Sequence, residues 1–424
     1  MKLWQFTDLH LHVRENPAEL DPRPNQTALP QSEAIIDACL AAFLAGPDCG
    51  TLLLSGDLTQ SGHPLEHQLM VEKLRRVQAA GKRVIAITAS HDYRVIGREN
   101  CQQLRDMYME FGLGDAVARY DQGQAFVVQL APRLRLLCVN DHGRGRTPLW
   151  LPWAVEQIGQ AKAAGEYIFA MAHLPSLTPS PVYSIIEPHA VLGESHPEPV
   201  HALADAGLRF MLTGHSHIHN IAPIVTPEGN PYWDINTSAL VGWPGKFRQL
   251  EIEGDRVYIT TKEIPYIPAF GNLSARDFLQ RTFDVVLNNI FDGWEHDYDL
   301  FAHSIGTGIN PGRVYKMKPL LRPLGKIVPR VTLGGLGTLL ACRRHIPKEC
   351  RALRLRDVLL EGMRNIYDGE EHYSPDTGLG KAFLAFGRRL GLLGKKLGVE
   401  DMPAFMLSLV YDDSPDGEVT IALD

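Results

Sequence analysis

Five short apolar runs, Leu3–Thr7, Leu52–Ser55, Val84–Ile87, Ile168–Ala172 and Phe210–Thr213, are each followed within four residues by Asp or His. Runs this short, with almost no polar interruption, read as strands buried on both faces. Helical spacing separates them. Ile35, Ile36, Cys39, Leu40 and Phe43 recur on one face, with Ser32 as the expected cap, and Leu69, Leu74 and Val77 mark a second helix ending near Gly81. Arg133–Val139 is a further strand candidate. Strands alternating with helices predict an α/β layered fold. In such a fold, ligands gather beyond the carboxyl ends of the strands, so loops far apart in sequence can meet in one crevice.

Near residue 250 the pattern changes. Gln249–Glu253 and Arg256–Thr260 alternate around Gly254-Asp255, which reads as an antiparallel hairpin closing a first domain. Pro265, Pro268 and Gly271 follow as a linker, and Ala275–Phe291, Asp357–Tyr367 and Gly378–Leu397 read as helices. With 424 residues, 45% of them hydrophobic, the chain exceeds one ordinary core. The expected division is residues 1–267 and a mainly helical 270–424. A net charge of −7 disfavours a globally basic nucleic-acid binder. Six scattered cysteines without CxxC pairing suggest reduced core thiols in a cytoplasmic protein. No leader-like apolar segment opens the sequence, and no apolar run approaches a membrane span.

The loops carry Asp8-Leu9-His10, Gly56-Asp57, Ser90-His91-Asp92, His173 and Gly214-His215-Ser216-His217. Brought together, five imidazoles and three carboxylates would repel or be desolvated unless cations lay between them. Carboxylate oxygens and neutral imidazoles are natural ligands of divalent metals. Asp8 and His10, like His215 and His217, are one residue apart, so in extended backbone each pair faces one way. Asp57 can bridge two ions, and a pair about 3.5–4 Å apart would activate a water and polarise a phosphate.

In this order, DLH, GD, HD, H and GHSH resemble the calcineurin-like metallophosphoesterase signature over residues 1–265. The resemblance implies a four-layer αββα metallophosphoesterase sandwich. Carried over by position, a first metal would take Asp8, His10, Asp57 and His217, and a second Asp57, His173, His215 and residue 90. Mn, Fe and Zn all suit such donors. His91 would assist the leaving oxygen, with Asp92 holding its ring. The family pattern is usually Gly-Asn-His-Asp or Glu, whereas this chain has Ala89-Ser90-His91-Asp92, which replaces a carbonyl donor with the shorter Ser90 hydroxyl.

The second motif lacks GDxVDRG, which argues against protein Ser/Thr phosphatases, and Asp57–Gly62 lacks the tyrosine of purple acid phosphatases. Motif form is most similar to bacterial cyclic-nucleotide phosphodiesterase-like members. The expected reaction is therefore phosphodiester hydrolysis by a metal-bridging hydroxide on a small phosphoester such as a cyclic nucleotide. Alternatives are a nuclease, a phosphomonoesterase, or a metal-binding scaffold that has lost turnover.

His12 and His219 read as exposed or outer-lying residues rather than ligands, and His63 as a loop residue. His142 either lines the pocket or sits in a surface turn. Trp243-Pro244-Gly245 is expected to form a loop near the GHSH segment. From Asn310 to Pro347 the chain carries eight Lys or Arg and no acid. A solvated face, or a patch meeting acidic groups, is favoured there over an anion-binding surface.

Overall fold

The computed structural model describes residues 1–13, 26–46, 48–140, 147–181, 183, 189–305, 315–316, 318–397, 401–414 and 416–424. Leu3, Leu53, Ile85 and Ile87 pack into one core, while Phe6, Leu52, Leu54 and Val84 of the same strands pack into another. This is the two-residue period of a strand with apolar residues on both faces. The strands are β1 (Lys2–Phe6), β2 (Cys49–Ser55) and β3 (Arg83–Ile87), mutually parallel in the order β1-β2-β3.

The second sheet contains β4 (Ala116–Tyr120), β5 (Ala125–Ala131), β6 (Leu134–Val139), β7 (Tyr167–Met171), β8 (Phe210–Thr213), β9 (Asn220–Val225) and β10 (Pro231–Asn236), in the order β4-β5-β6-β7-β8-β10-β9. Its central strands β6, β7, β8 and β10 run parallel. The hairpin of β11 (Lys246–Glu253) and β12 (Arg256–Glu263) places β11 antiparallel beside β1. Strand β13 (Glu418–Ala422), from the far end of the chain, then adds to β12.

The layers follow from three cores. Inward residues of both sheets, including Leu53, Ile85, Phe169 and Phe210, share the central one. The outer face of the first sheet packs on helices α1 (Ser32–Ala45) and α2 (Pro64–Ala79). The outer face of the second packs on the helices Leu151–Ala163 and Glu198–Ala206. The αββα sandwich implied by the resemblance is the observed architecture. Ser32 is not the helix cap: it is the first residue of α1, and its hydroxyl accepts the His12 N–H at 3.0 Å.

This unit comprises Met1–Pro179, Pro188–Phe283 and Pro415–Asp424, and a second comprises Ser180–Glu187 and Asp284–Ser414. The second is built of helices, among them Leu355–Asp368 and Gly378–Leu397, around Leu333, Val358, Phe383, Phe386 and Val410. In its basic segment Lys318 pairs with Asp299 at 3.4 Å and Arg330 pairs with Glu295, so part of that charge is met within the unit. No described helix is long and apolar enough to cross a membrane. All six cysteines are free thiols.

Candidate metal centre

The loops after β1 and β2 continue side by side beyond their strands. Asp8 N–H donates to Gly56 O (3.1 Å), His10 N–H to Asp57 O (3.0 Å) and Leu11 N–H to Leu58 O (3.0 Å). Among the described residues nine non-glycines have positive φ, and five of them are Asp8 (51°), His10 (41°), Asp57 (49°), His215 (67°) and His217 (60°). The pairs Asp8/His10 and His215/His217 therefore converge through left-handed backbone, not the extended segment expected. Such conformations cost about 1–3 kcal/mol each and persist only where the surroundings over-determine them.

Close backbone approach supplies that constraint. At Gly214 a Cβ would lie 2.1 Å from Thr7 Oγ1 and 2.5 Å from Asp8 Oδ2. Only glycine lets the loop after β8 lie on the loop after β1, where His215 N–H reaches Asp8 Oδ2 at 2.9 Å. At Gly56, with φ +94°, a Cβ would lie 2.9 Å from His173 Nδ1.

Asp8 Oδ2 accepts from Thr7 Oγ1 (2.7 Å) as well as from His215 N–H. Its buried Oδ1 has no hydrogen-bond partner among the described residues. It faces the Nε2 atoms of His217, His10 and His173 at 3.3, 3.6 and 3.8 Å. His10 Nε2 and His217 Nε2 are 3.3 Å apart. On the other side His173 Nε2 lies 3.1 Å from Asp57 Oδ2 and 3.2 Å from His215 Nδ1, while its Nδ1–H donates to Ser55 O at 2.9 Å. That carbonyl commits Nδ1–H and aims Nε2 inward, as outer partners of metal-binding histidines do.

Two triads result, Asp8–His10–His217 and Asp57–His173–His215, each with donor atoms within 4.8 Å of one another. A third, His10–Asp57–His91, overlaps both. A buried carboxylate oxygen without a proton donor, facing imidazole nitrogens, is what a divalent cation would satisfy, so the residues fit the group. Burial alone would raise the Asp8 and Asp57 carboxyls, but His173 and the other rings more than offset it and hold both well below the usual range. Burial lowers His173, yet Asp57 and Asp8 outweigh it and carry that ring up to about 9.

Residues 90–92 divide. His91 lies beside the cluster, with its backbone N–H on Asp57 Oδ1 (2.9 Å) and its Nδ1–H on Gln60 O (2.7 Å). Asp92, expected to hold that ring, instead accepts from Thr59 N–H and Oγ1, Ala89 N–H and Leu58 N–H at 2.8–3.3 Å. It ties the loop after β3 to the loop after β2, and the Gln60 carbonyl orients His91. Burial and the nearby Asp57 push Asp92 up to about 7. Ser90 is half-buried, with no hydrogen-bond partner among the described residues.

Three further histidines singled out by the sequence stand apart from the cluster. His12 is buried against Glu66 (3.2 Å), and His219 is buried, bonded to Thr261 Oγ1 (2.9 Å). His63 caps α2 by accepting from Leu65 N–H. His142 lies outside the described residues. Trp243 is buried with the Arg276 guanidinium over its ring at 4.7 Å.

Sequence reasoning passed over two supports on β10. Asp234 accepts from Ser176 N–H and Oγ (both 2.5 Å) and from Thr213 Oγ1 (2.8 Å), joining the segment after His173 to the end of β8. Asn236 donates to Gly214 O (2.8 Å) and accepts from Ser216 Oγ (2.5 Å), holding the GHSH loop. Their signal is a two-residue spacing of short polar side chains inside the apolar run Tyr232–Asn236.

The family model for calcineurin-like phosphoesterases matches residues 1–219. The chain belongs to that family. Comparison with curated proteins returns no match. Among solved structures, this phosphoesterase is similar to a dimetal phosphatase from Danio rerio at 11% identity and TM-score 0.47, covering 62% of this chain and 96% of that one. It is also similar to a purple acid phosphatase from yellow lupin (10%, TM-score 0.45, 62% and 51%). A third is Vps29 from Entamoeba histolytica (13%, TM-score 0.29, 62% and 91%).

Proposed function

We propose that this phosphoesterase hydrolyses small phosphodiesters with two divalent ions, Mn, Fe or Zn. Asp8, His10, Asp57 and His217 would hold the first ion, and Asp57, His173, His215 and Ser90 the second. The observation that carries this reading is the pair of triads, Asp8–His10–His217 and Asp57–His173–His215, which the third triad containing both His10 and Asp57 links, in a chain of this family. Bound there, such ions neutralise phosphate oxygens and make a water nucleophilic near neutral pH.

The chain's own groups do the rest. Ser55 O and the Asp8 contacts fix the donor atoms before substrate arrives. With Nδ1–H given to Gln60, His91 can exchange a proton with a leaving oxygen only through Nε2. Burial, against the pull of Asp57, lowers that ring, so in the free protein Nε2 carries a lone pair that could take a proton from the attacking water and hand it on to the leaving oxygen. The small-molecule preference rests on the net charge of −7. The six unpaired thiols support a cytoplasmic location. The division into 1–267 and a mainly helical 270–424 belongs to this reading, with Pro415–Asp424 returning to the first unit.

The test is turnover by the Mn²⁺-loaded protein of bis(p-nitrophenyl) phosphate, p-nitrophenyl phosphate, and 2′,3′- and 3′,5′-cyclic nucleotides. Diester hydrolysis that falls by roughly 10³-fold in Asp57→Ala, about 4 kcal/mol of transition-state stabilisation, is expected. Monoester turnover alone would remove the diesterase assignment. No turnover by a protein holding two ions would favour the scaffold.

A further inference from the structure

We propose that Arg94 forms an anion subsite beside the metal centre, which selects esters carrying a second phosphate next to the scissile one. This rests on the phosphoesterase reading of the same site. The Arg94 Nη2 lies 2.7 Å from His91 Nε2, at the edge of the cluster. The arginine is exposed, whereas Asp8, His10, Asp57 and His173 are buried.

Three features set this side chain apart. First, its charge is unmatched: among the described residues no carboxylate pairs with it, and the acceptor it has is a neutral imidazole. A guanidinium carries five N–H donors in a planar fork that matches two phosphate oxygens. Its bond to the His91 lone pair leaves most of that fork unused. Phosphate offers the guanidinium an opposite charge and two oxygens in the plane of its fork, where the ring offers one uncharged nitrogen, so an arriving phosphate outcompetes the ring.

Second, Arg94 stands on a built turn. Asp92 N–H donates to Ala89 O (3.1 Å), Arg94 N–H to His91 O (3.2 Å), Val95 N–H to Ser61 O (3.0 Å) and Gly97 N–H to Tyr93 O (2.8 Å). Tyr93 is buried, with its hydroxyl 2.8 Å from Thr88 Oγ1. The turn also meets the loop after β2 so closely that a Cβ on Gly62 would sit 2.4 Å from Asp92 O.

Third, the position has a chemical consequence. His91 Nε2 is the one ring nitrogen free to serve a leaving oxygen, and in the free protein Arg94 covers it. A ligand that draws the guanidinium away uncovers that nitrogen as it binds. An ester with a second phosphate does both at once. An ester with one phosphate must displace the contact without replacing it.

The test is binding of AMP and ADP, which differ by one phosphate, to the Mn²⁺-loaded full chain by calorimetry. Metal content and melting temperature are checked for each variant. The wild type is expected to bind ADP at least about tenfold more tightly than AMP. Arg94→Ala should bring that ratio close to one by weakening ADP, with AMP somewhat tighter because the contact it has to displace is gone, and Arg94→Lys, which keeps the charge without the fork, should retain an intermediate ratio. Equal weakening of both ligands in Arg94→Ala would mean that Arg94 acts only by orienting His91, and would overturn the subsite. So would a wild type without preference, or a ratio unmoved by the substitution. The phosphoesterase reading fails separately, on absent ester turnover, which this binding measurement does not use.

Discussion

His173 Nε2 stands 3.1 Å from Asp57 Oδ2 while the opposite nitrogen of the ring is committed to Ser55 O at 2.9 Å. The ring can therefore gain or lose a proton only at the atom that points into the cluster. Burial opposes the charge, but Asp57 and Asp8 raise the ring to about 9, so without metal it is protonated at neutral pH. A cation taking that place must expel the proton. Apparent metal affinity should rise about tenfold per pH unit and level off near pH 9, with one proton released per chain at pH 7. Calorimetric titration in buffers of different ionisation enthalpy reads both quantities. Affinity independent of pH between 6 and 8 would show that His173 is not a ligand.

Ser90 replaces the longer donor usual in the family and has no hydrogen-bond partner among the described residues. Ser90→Asn should strengthen binding of the second ion roughly tenfold, about 1.4 kcal/mol, and leave the first unchanged. Stepwise dissociation constants decide this; two unchanged constants would mean that residue 90 does not face the ion.

At Gly214 an added Cβ would meet Thr7 Oγ1 at 2.1 Å and Asp8 Oδ2 at 2.5 Å. Gly214→Ala must then push the loops after β1 and β8 apart. Expected are a stability loss of about 1–3 kcal/mol from overpacking and a weaker Asp8–His10–His217 half. Denaturant melts and metal titration report them separately, and native metal affinity in the variant would place the loops further apart than described.

Asp234 touches none of the proposed ligands, yet it accepts from Ser176 and Thr213 in the segments that carry His173 and His215. Asp234→Asn turns an amide N–H₂ toward donors. Loss of roughly 2–4 kcal/mol is expected for these buried groups, together with a weaker second ion. A fully stable variant with wild-type metal binding would reduce Asp234 to a bystander.

What was legible in the sequence follows from burial. Strands β1, β2, β3, β6, β7 and β8 carry apolar residues on both faces, so each reads as a short run broken at most by one polar residue such as Gln5 or Arg135, and ligands follow all of these runs but β6. Strand β10 was not read because Pro231, Asp234 and Asn236 break its run; the two polar residues are buried by loops that only the fold brings near. Strand β13 owes its place to pairing with β12 across more than 150 residues, Tyr258 opposite Thr420, and local pattern carries nothing of such contacts. The hold on His91 was misassigned to Asp92 for a related reason: its partner is the Gln60 carbonyl, and a backbone acceptor leaves no mark in the sequence. The spacing of Asp8 and His10 pointed to convergence correctly but for an extended backbone, whereas the chain uses left-handed φ at both.

The central claim is a two-ion centre bridged by Asp57, and the direct measurement is the number of ions bound per chain in the wild type and in Asp57→Ala, by elemental analysis after equilibrium dialysis against Mn²⁺. The account predicts two ions in the wild type and at most one, weakly held, in the variant. A single ion in the wild type, or two retained in Asp57→Ala, would contradict it.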